Sequence, residues 1–190
     1  IDAKHNEYNL VKSLVDNLEG LPESIKFLKK KAQKEAPLLS DIIYCKPEYK
    51  IALENYLEPF MNYFVVADIE EAKECINLLT ESSQGRANFF LLSSFKNAVK
   101  SIEPSFPAIA AASLIEVDEK HAPLINSLLY NVFIVTDKQD DIASLNNSEG
   151  VYIAQNGHLI KSSNTLSGGS VGLFEGKRIG RAKSQEVRSE

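Results

Sequence analysis

The sequence predicts a mixed α/β protein built in two successive blocks and entered and left through helices. Three observations carry this. Short β-rich runs alternate with helix-length periodic segments, the alternation repeats in outline after a proline-containing stretch, and both chain ends are polar and helix-forming.

At the start, "HNEYNLVKSLVDNLEG" sets Leu10, Val11, Leu14, Val15 and Leu18 along a narrow apolar stripe, the pattern of a helix that needs a partner helix. Gly20 and Pro22 stop it. "SDIIYC" reads as a short apolar strand, and Pro47 then opens a helix through "PEYKIALENYL" with Tyr49, Ala52, Leu53 and Tyr56 on one face. "NYFVVAD" is a strand. "IEEAKECINLLTESSQG" is a helix that turns Ile69, Ala72, Ile76 and Leu79 inward and is ended by Gly85. "ANFFLLS" returns as a strand, and the irregular "FKNAVKSIEPSFPAIAAAS" reads as a subdomain linker.

The second block contains a helix ("EKHAPLINSLLY"), a strand ("NVFIVTD") and a short helix ("KQDDIASLNN"). "YFVVADIEEA" parallels "VFIVTDKQDD", a weak sign of duplication. Asp68 and Asp137 fall where an N-cap carboxylate accepts backbone N–H bonds, which accounts for both without catalysis or Mg²⁺. "GVYIAQNGHLIKS" is a hairpin over Asn156 and Gly157, a pair favoured in type I′ turns because both central residues take positive φ. The closing "GKRIGRAKSQEVRSE" is helix-forming after Gly180 but too short and polar to stand alone.

The 190 residues, 44% hydrophobic and 25% charged, are those of an ordinary globular chain with room for a core. No apolar run reaches the roughly 18 residues of a membrane span and no signal pattern opens the chain, which predicts an intracellular protein without a membrane partner. Opening on Ile1 and ending in a charged stretch, it reads as a piece excised from a longer protein. Cys45 and Cys75 lie far from any Cys or His at ligand spacing and are expected to be buried thiols. His5, His121 and His158 are ungrouped, and no H-E-x-x-H or G-x-S-x-G occurs. The expectation is therefore no catalytic residue, no metal, no cofactor and no small-molecule substrate.

Residues 164–181, "NTLSGGSVGLFEGKRIGR", hold five glycines and a Gly-Lys pair, which invites a phosphate-loop reading. It fails: Val171 stands where the first glycine belongs, and Arg178 where Ser or Thr would hold Mg²⁺. Net charge is -5, but residues 37–176 carry nine Lys/Arg against eighteen Asp/Glu, so both ends are basic relative to the middle. The densest run, Lys26, Lys29, Lys30, Lys31 and Lys34, forms a basic patch with Lys177, Arg178, Arg181, Lys183 and Arg188 if the ends meet. A solvated helix face is the simpler reading.

Taken together, these residues resemble the hinge domain of structural maintenance of chromosomes (SMC) proteins of the bacterial type. The likeness is carried by Tyr49, Ala52, Leu53 and Glu54 of the first helix, the valine-rich strand of "YFVVADIEEAKECINLL", and Gly85, Arg86 and Phe89 of "QGRANFFLL". It continues through Gly157, Gly168 and Gly169 of "NGHLIKSSNTLSGGSVG". One departure stands out: Glu58-Pro59 replaces a glycine usual after the first helix.

The resemblance implies an SMC hinge-like α/β fold in four parts. Residues 1–36 are an entering coiled-coil helix with a basic connector, 37–104 and 105–176 two subdomains, and 177–190 the start of an exiting helix. It implies a homodimer, subdomain one of each copy meeting subdomain two of the other, with Gly168, Gly169, Ser170 and Gly172 in or beside the contact. Glycine lets two backbones approach closely enough to pair strand to strand. The ATPase heads would lie outside this chain, in a cytoplasmic, nucleoid-associated protein of chromosome condensation and segregation. DNA is the second implied partner, through Lys29, Lys30, Lys31, Lys34, Arg178, Arg181 and Lys183. The competing classes are a stand-alone nucleic-acid-binding module, disfavoured by the acidic middle, and an α/β metabolic enzyme, for which no convergent polar residues appear.

Overall fold

A computed structural model describes residues 4, 6, 21–31, 36–95, 102–104, 107–136, 139–145, 149–169 and 179. The apolar stripe of the entering helix, Asp137, and the closing segment apart from Ile179 lie outside them. Among the described residues no helix is long and apolar enough to cross a membrane.

The chain divides into two compact units that alternate along the sequence. The first comprises Ile1–Ile42, Phe60–Ser94 and Gly180–Glu190; the second comprises Ile43–Pro59 and Phe95–Ile179. This differs from a first subdomain running unbroken over residues 37–104. The segment Ile43–Pro59 belongs with the second unit, because the helix it contains lies against a strand of that unit.

In the first unit, helix α1 (Glu23–Lys31) and a single helical turn α2 (Leu39–Ile42) precede strand β1. The turn corrects the strand reading of "SDIIYC". Asp41 accepts the Leu38 N–H (3.1 Å) and the Lys29 ammonium (2.8 Å), which closes the backbone on itself there. Helix α3 (Pro47–Leu57), which belongs to the second unit, separates α2 from β1 (Phe64–Val66) in sequence.

Strand β1, helix α4 (Ile69–Glu81) and strand β2 (Phe89–Leu91) form a parallel β-α-β crossover, with Phe64 opposite Phe89. Those rings stack at 5.6 Å. The core gathers Leu21, Ile25, Leu28, Leu38, Phe64, Val66, Ala72, Cys75 and Leu79. Asp68 caps α4 as expected, accepting the Glu71 N–H at 3.0 Å, while the Glu71 carboxylate receives the Ala67 N–H at 3.0 Å.

Two expectations for α4 fail. Its buried face is Ala72, Cys75 and Leu79, so Ile69 (52% exposed) and Ile76 (45%) flank the stripe instead of filling it. Cys75 behaves as a small hydrophobe and shifts the centre of that face. Nor does Gly85 end the helix. The Gln84 N–H reaches the Leu79 carbonyl (3.1 Å) and the Ser83 N–H the Thr80 carbonyl (3.3 Å), a Schellman closure with Ser83 at the left-handed position, φ 50°.

In the second unit, α3 buries Ala52, Leu53, Glu54 and Leu57, and Glu58–Phe60 continues it as a 3₁₀ turn where the family glycine is missing. Five strands follow: β3 (Ile109–Ala110), β4 (Val132–Val135), β5 (Val151–Ala154), β6 (Leu159–Lys161) and β7 (Leu166–Gly168). They lie side by side in chain order, parallel only between β4 and β5. Strict alternation sorts the strands' two faces. Phe133, Val135, Tyr152 and Ala154 share one core cluster with Ile142, while Val132, Ile134 and Ile153 are buried on the other side. Helix α5 (Ala122–Leu129) is entered through a 3₁₀ turn at Glu119–His121 and buries Leu124, Ile125 and Leu129. A 3₁₀ helix (Gln139–Ser144) bridges β4 to β5.

Two measurements test this description. Glycine occupies the left-handed region without the Cβ penalty of about 1–2 kcal/mol, so Ser83→Gly is expected to raise unfolding stability by about 1 kcal/mol in a urea titration. His121 is buried with no partner for its Nδ1 among the described residues. Burial, helped by the Lys120 charge and opposed by Asp118, pushes its pKa below 6.5. The unfolded chain therefore gains a proton first as pH falls, and stability drops from pH 6.5 downward until the folded-state pKa is passed. His121→Leu is expected to flatten that part of the urea-midpoint profile between pH 7.5 and 5.

Candidate interface at the sheet edges

Strand β7 is an outer strand of the five-stranded sheet, and all three of its residues are exposed, Leu166 by 55%. Among the described residues no strand lies beyond it. Its register on β6 pairs Leu159 with Gly168, Ile160 with Ser167 and Lys161 with Leu166.

The glycine that ends β7 and the one after it have different causes. A Cβ on Gly168 would stand 2.8 Å from the His158 carbonyl oxygen and 2.9 Å from the Leu159 side chain, so its own chain excludes a side chain there. Gly169 has φ +147°, a backbone state closed to most residues, yet a Cβ would meet no described atom within 4 Å. Among the described residues, space is open on that side. Ser170 and Gly172 lie outside the described residues.

His158 holds this end of β7 in place. Its carbonyl accepts the Gly169 N–H (3.2 Å), and its Nδ1 lies 2.9 Å from the Gly169 carbonyl oxygen. A carbonyl only accepts, so Nδ1 carries the proton. In the sequence His158 stands ungrouped, and in the structure it is exposed yet holds the strand end. The 11-residue separation across a hairpin and a second turn hides the pairing until the register is known.

The turn before His158 is itself fixed by helix α3. Gly157, φ +78°, lies so close that a Cβ would come within 2.5 Å of Ile51 Cγ2 and 2.6 Å of Asn55 Nδ2, and Asn55 Nδ2 donates to the Gly157 carbonyl at 2.8 Å. This is not the expected type I′ turn. The Gly157 N–H bonds to the Ala154 carbonyl (2.8 Å), which makes Gln155 and Asn156 the central residues, and Asn156 keeps a negative φ. Its side-chain oxygen instead accepts the His158 N–H at 3.0 Å.

The first unit also ends in a short outer strand. Its sheet stops at β2 among the described residues, and Phe89, Phe90 and Leu91 are half-buried. Phe60, Tyr63 and Phe90 cluster beside it, with ring centroids 5.4, 5.9 and 4.8 Å apart.

Of the basic residues, Lys29 is committed to Asp41, whereas Lys30 and Lys31 are exposed at the end of α1. Lys34, Arg178, Arg181 and Lys183 lie outside the described residues. Both thiols are buried and unbridged; burial pushes Cys45 up to about 11 and also raises Cys75. A thiol so shifted stays protonated and unreactive at neutral pH. His121 is buried at the start of α5, and His5 is not described.

Fold and edges together define a two-unit α/β module in which β7 and β2 are short strands at the edges of their sheets. The family model of the SMC proteins' flexible hinge domain matches residues 32–140, more than half of the chain, and the chain belongs to that family. The hinge is the domain through which SMC proteins dimerise. The chromosome partition protein Smc of Chlorobaculum tepidum is 26% identical over 197 residues, covering 98% of this chain and 16% of that relative. That of Halothermothrix orenii is also 26% identical, covering 97% and 16%. The chain thus spans about one sixth of the length of these curated relatives. Among solved structures, an asymmetric dimer of the Geobacillus stearothermophilus SMC hinge domain shares the fold with a TM-score of 0.74. The identity is 19%, covering 99% of this chain and 80% of that one.

The close approach at residue 157 and the open space at 169 lead to opposite expectations. Gly157→Ala combines backbone strain with a clash and is expected to cost roughly 2–4 kcal/mol of stability. Gly169→Ala meets only strain, about 1–2 kcal/mol. Urea unfolding at one fixed protein concentration ranks the two.

Proposed function

We propose that this chain joins two copies of its parent protein head to head, strand β7 of one copy extending the sheet that ends at β2 in the other. Two-fold symmetry makes the contact twice. The observation that carries the reading is the exposed outer strand β7, beside which a Cβ at Gly169 would meet no described atom. Leu166 supplies apolar surface on that edge, and the Phe60, Tyr63 and Phe90 cluster supplies a receiving surface beside the other. Ser170 and Gly172 continue the contact. The role is mechanical, not catalytic, in a cytoplasmic, nucleoid-associated chromosome partition protein whose ATPase heads lie outside this chain, with 1–36 and 177–190 as the bases of its coiled-coil arms.

Sedimentation of the 190-residue chain is expected to give a dimer at micromolar concentration. Leu166→Glu places a charge on the edge without touching any strained backbone, and is expected to weaken the dimer by at least tenfold, about 1.4 kcal/mol, while leaving far-UV circular dichroism unchanged. Gly169→Asp is expected to do the same. Tight dimers in both variants would remove β7 from the contact.

A second partner, DNA, is favoured by the exposure of Lys30 and Lys31 at the end of α1. Such binding tracks the number of phosphates neutralised and weakens steeply with salt. A band-shift titration is expected to show binding at 50 mM salt that is lost at 200 mM and reduced by Lys30→Glu with Lys31→Glu. Absence of any shift at 50 mM would exclude it.

A further inference from the structure

Glu54 is 3% exposed on the inner face of α3, among Ala52, Leu53 and Leu57. A buried carboxylate is costly unless it is well hydrogen-bonded, and an aliphatic residue would serve packing alone. Its Oε1 accepts the backbone N–H of Ile179 at 2.8 Å, a residue itself 1% exposed and 125 positions away. Ile179 is the last residue of the second unit before the chain returns to the first.

The next residue on the same turn, Asn55, holds the Gly157 carbonyl at 2.8 Å. Gly157 is followed by His158, whose carbonyl and ring Nδ1 hold the N–H and carbonyl of Gly169. Adjacent side chains of one helix therefore fix two points of the chain ten residues apart, one at the end of the exposed edge and one at the exit.

We infer that Glu54 and Asn55 are positioning residues that tie the placement of Gly169 to that of Ile179, so that the dimer edge and the last residue of the second unit hold one geometry. The dimerisation part of this rests on the function proposed above; the tie between the two residues does not. Glu54 acts through an acceptor oxygen, which glutamine also supplies, so rescue by Glu54→Gln separates positioning from charge.

The test is amide hydrogen exchange on the 190-residue chain, read with sedimentation. Glu54→Ala is expected to speed exchange of both the Ile179 and Gly169 amides by about tenfold or more and to weaken the dimer about tenfold, the scale of one lost buried hydrogen bond. Asn55→Ala is expected to do likewise. Glu54→Gln is expected to keep both amides within about threefold of the parent. The Val65 amide, bonded to the Pro37 carbonyl in the first unit, should change less than about twofold and thus report that global stability is intact. If Glu54→Ala frees Ile179 alone and Asn55→Ala frees Gly169 alone, the tie does not exist. Should Glu54→Ala fail to fold, Asn55→Ala decides by its effect on Ile179. A parent chain that sediments as a monomer overturns the dimerisation reading, while the exchange data still test the tie.

Discussion

The hairpin of the second unit can rest on helix α3 only because residue 157 has no side chain. Its backbone lies where any Cβ would enter Ile51 and Asn55, at a φ that penalises one anyway. From that contact the rest of the sheet margin follows. The turn fixes His158, His158 fixes Gly169 from both sides, and Gly168 slots against the His158 carbonyl. An exposed strand of three residues has little packing of its own to define its position. Here it borrows rigidity from a helix more than a hundred residues earlier in the chain.

The two units solve the same problem in the same way. Each contains a parallel strand pair joined by a crossover, and in each an aromatic register pair stacks across it: Phe64 on Phe89 at 5.6 Å, Phe133 on Tyr152 at 5.5 Å. Cross-strand aromatic contact contributes beyond its buried area and fixes register, since a one-residue slip of either strand would send its ring to the opposite face from its partner. The short likeness between "YFVVADIEEA" and "VFIVTDKQDD" in the sequence is the trace of this shared arrangement. The crossovers then diverge, a thirteen-residue α-helix in one unit and a six-residue 3₁₀ helix in the other.

What could be read directly from the sequence was what local chemistry decides. Pro47 marks the start of α3, Asp68 caps α4, and the β-branched runs become β1 and β4. What escaped depended on distant partners. Leu39–Ile42 is a helical turn whose Asp41 accepts the Leu38 N–H and the distant Lys29, and α3 belongs to the second unit because of strands that come a hundred residues later. The Asn156-Gly157 pair correctly marked a hairpin, but its turn type was set by the contact with α3. In the sequence Glu54 stands out only within the family pattern around Tyr49, Ala52 and Leu53. Nothing local announces that its carboxylate is buried, since its partner Ile179 lies at the other end of the chain.

Short edges also explain how such a joint can be selective. A long exposed strand pairs with many chains and invites aggregation, whereas three residues offer few ladder hydrogen bonds, each contributing about 1 kcal/mol net. One such contact cannot hold two large proteins together. Two contacts related by symmetry can, because the first raises the effective concentration of the second. The specificity of the proposed joint then resides less in any side chain of β7 than in how firmly each unit holds its own edge, which returns the burden to Gly157, His158 and helix α3.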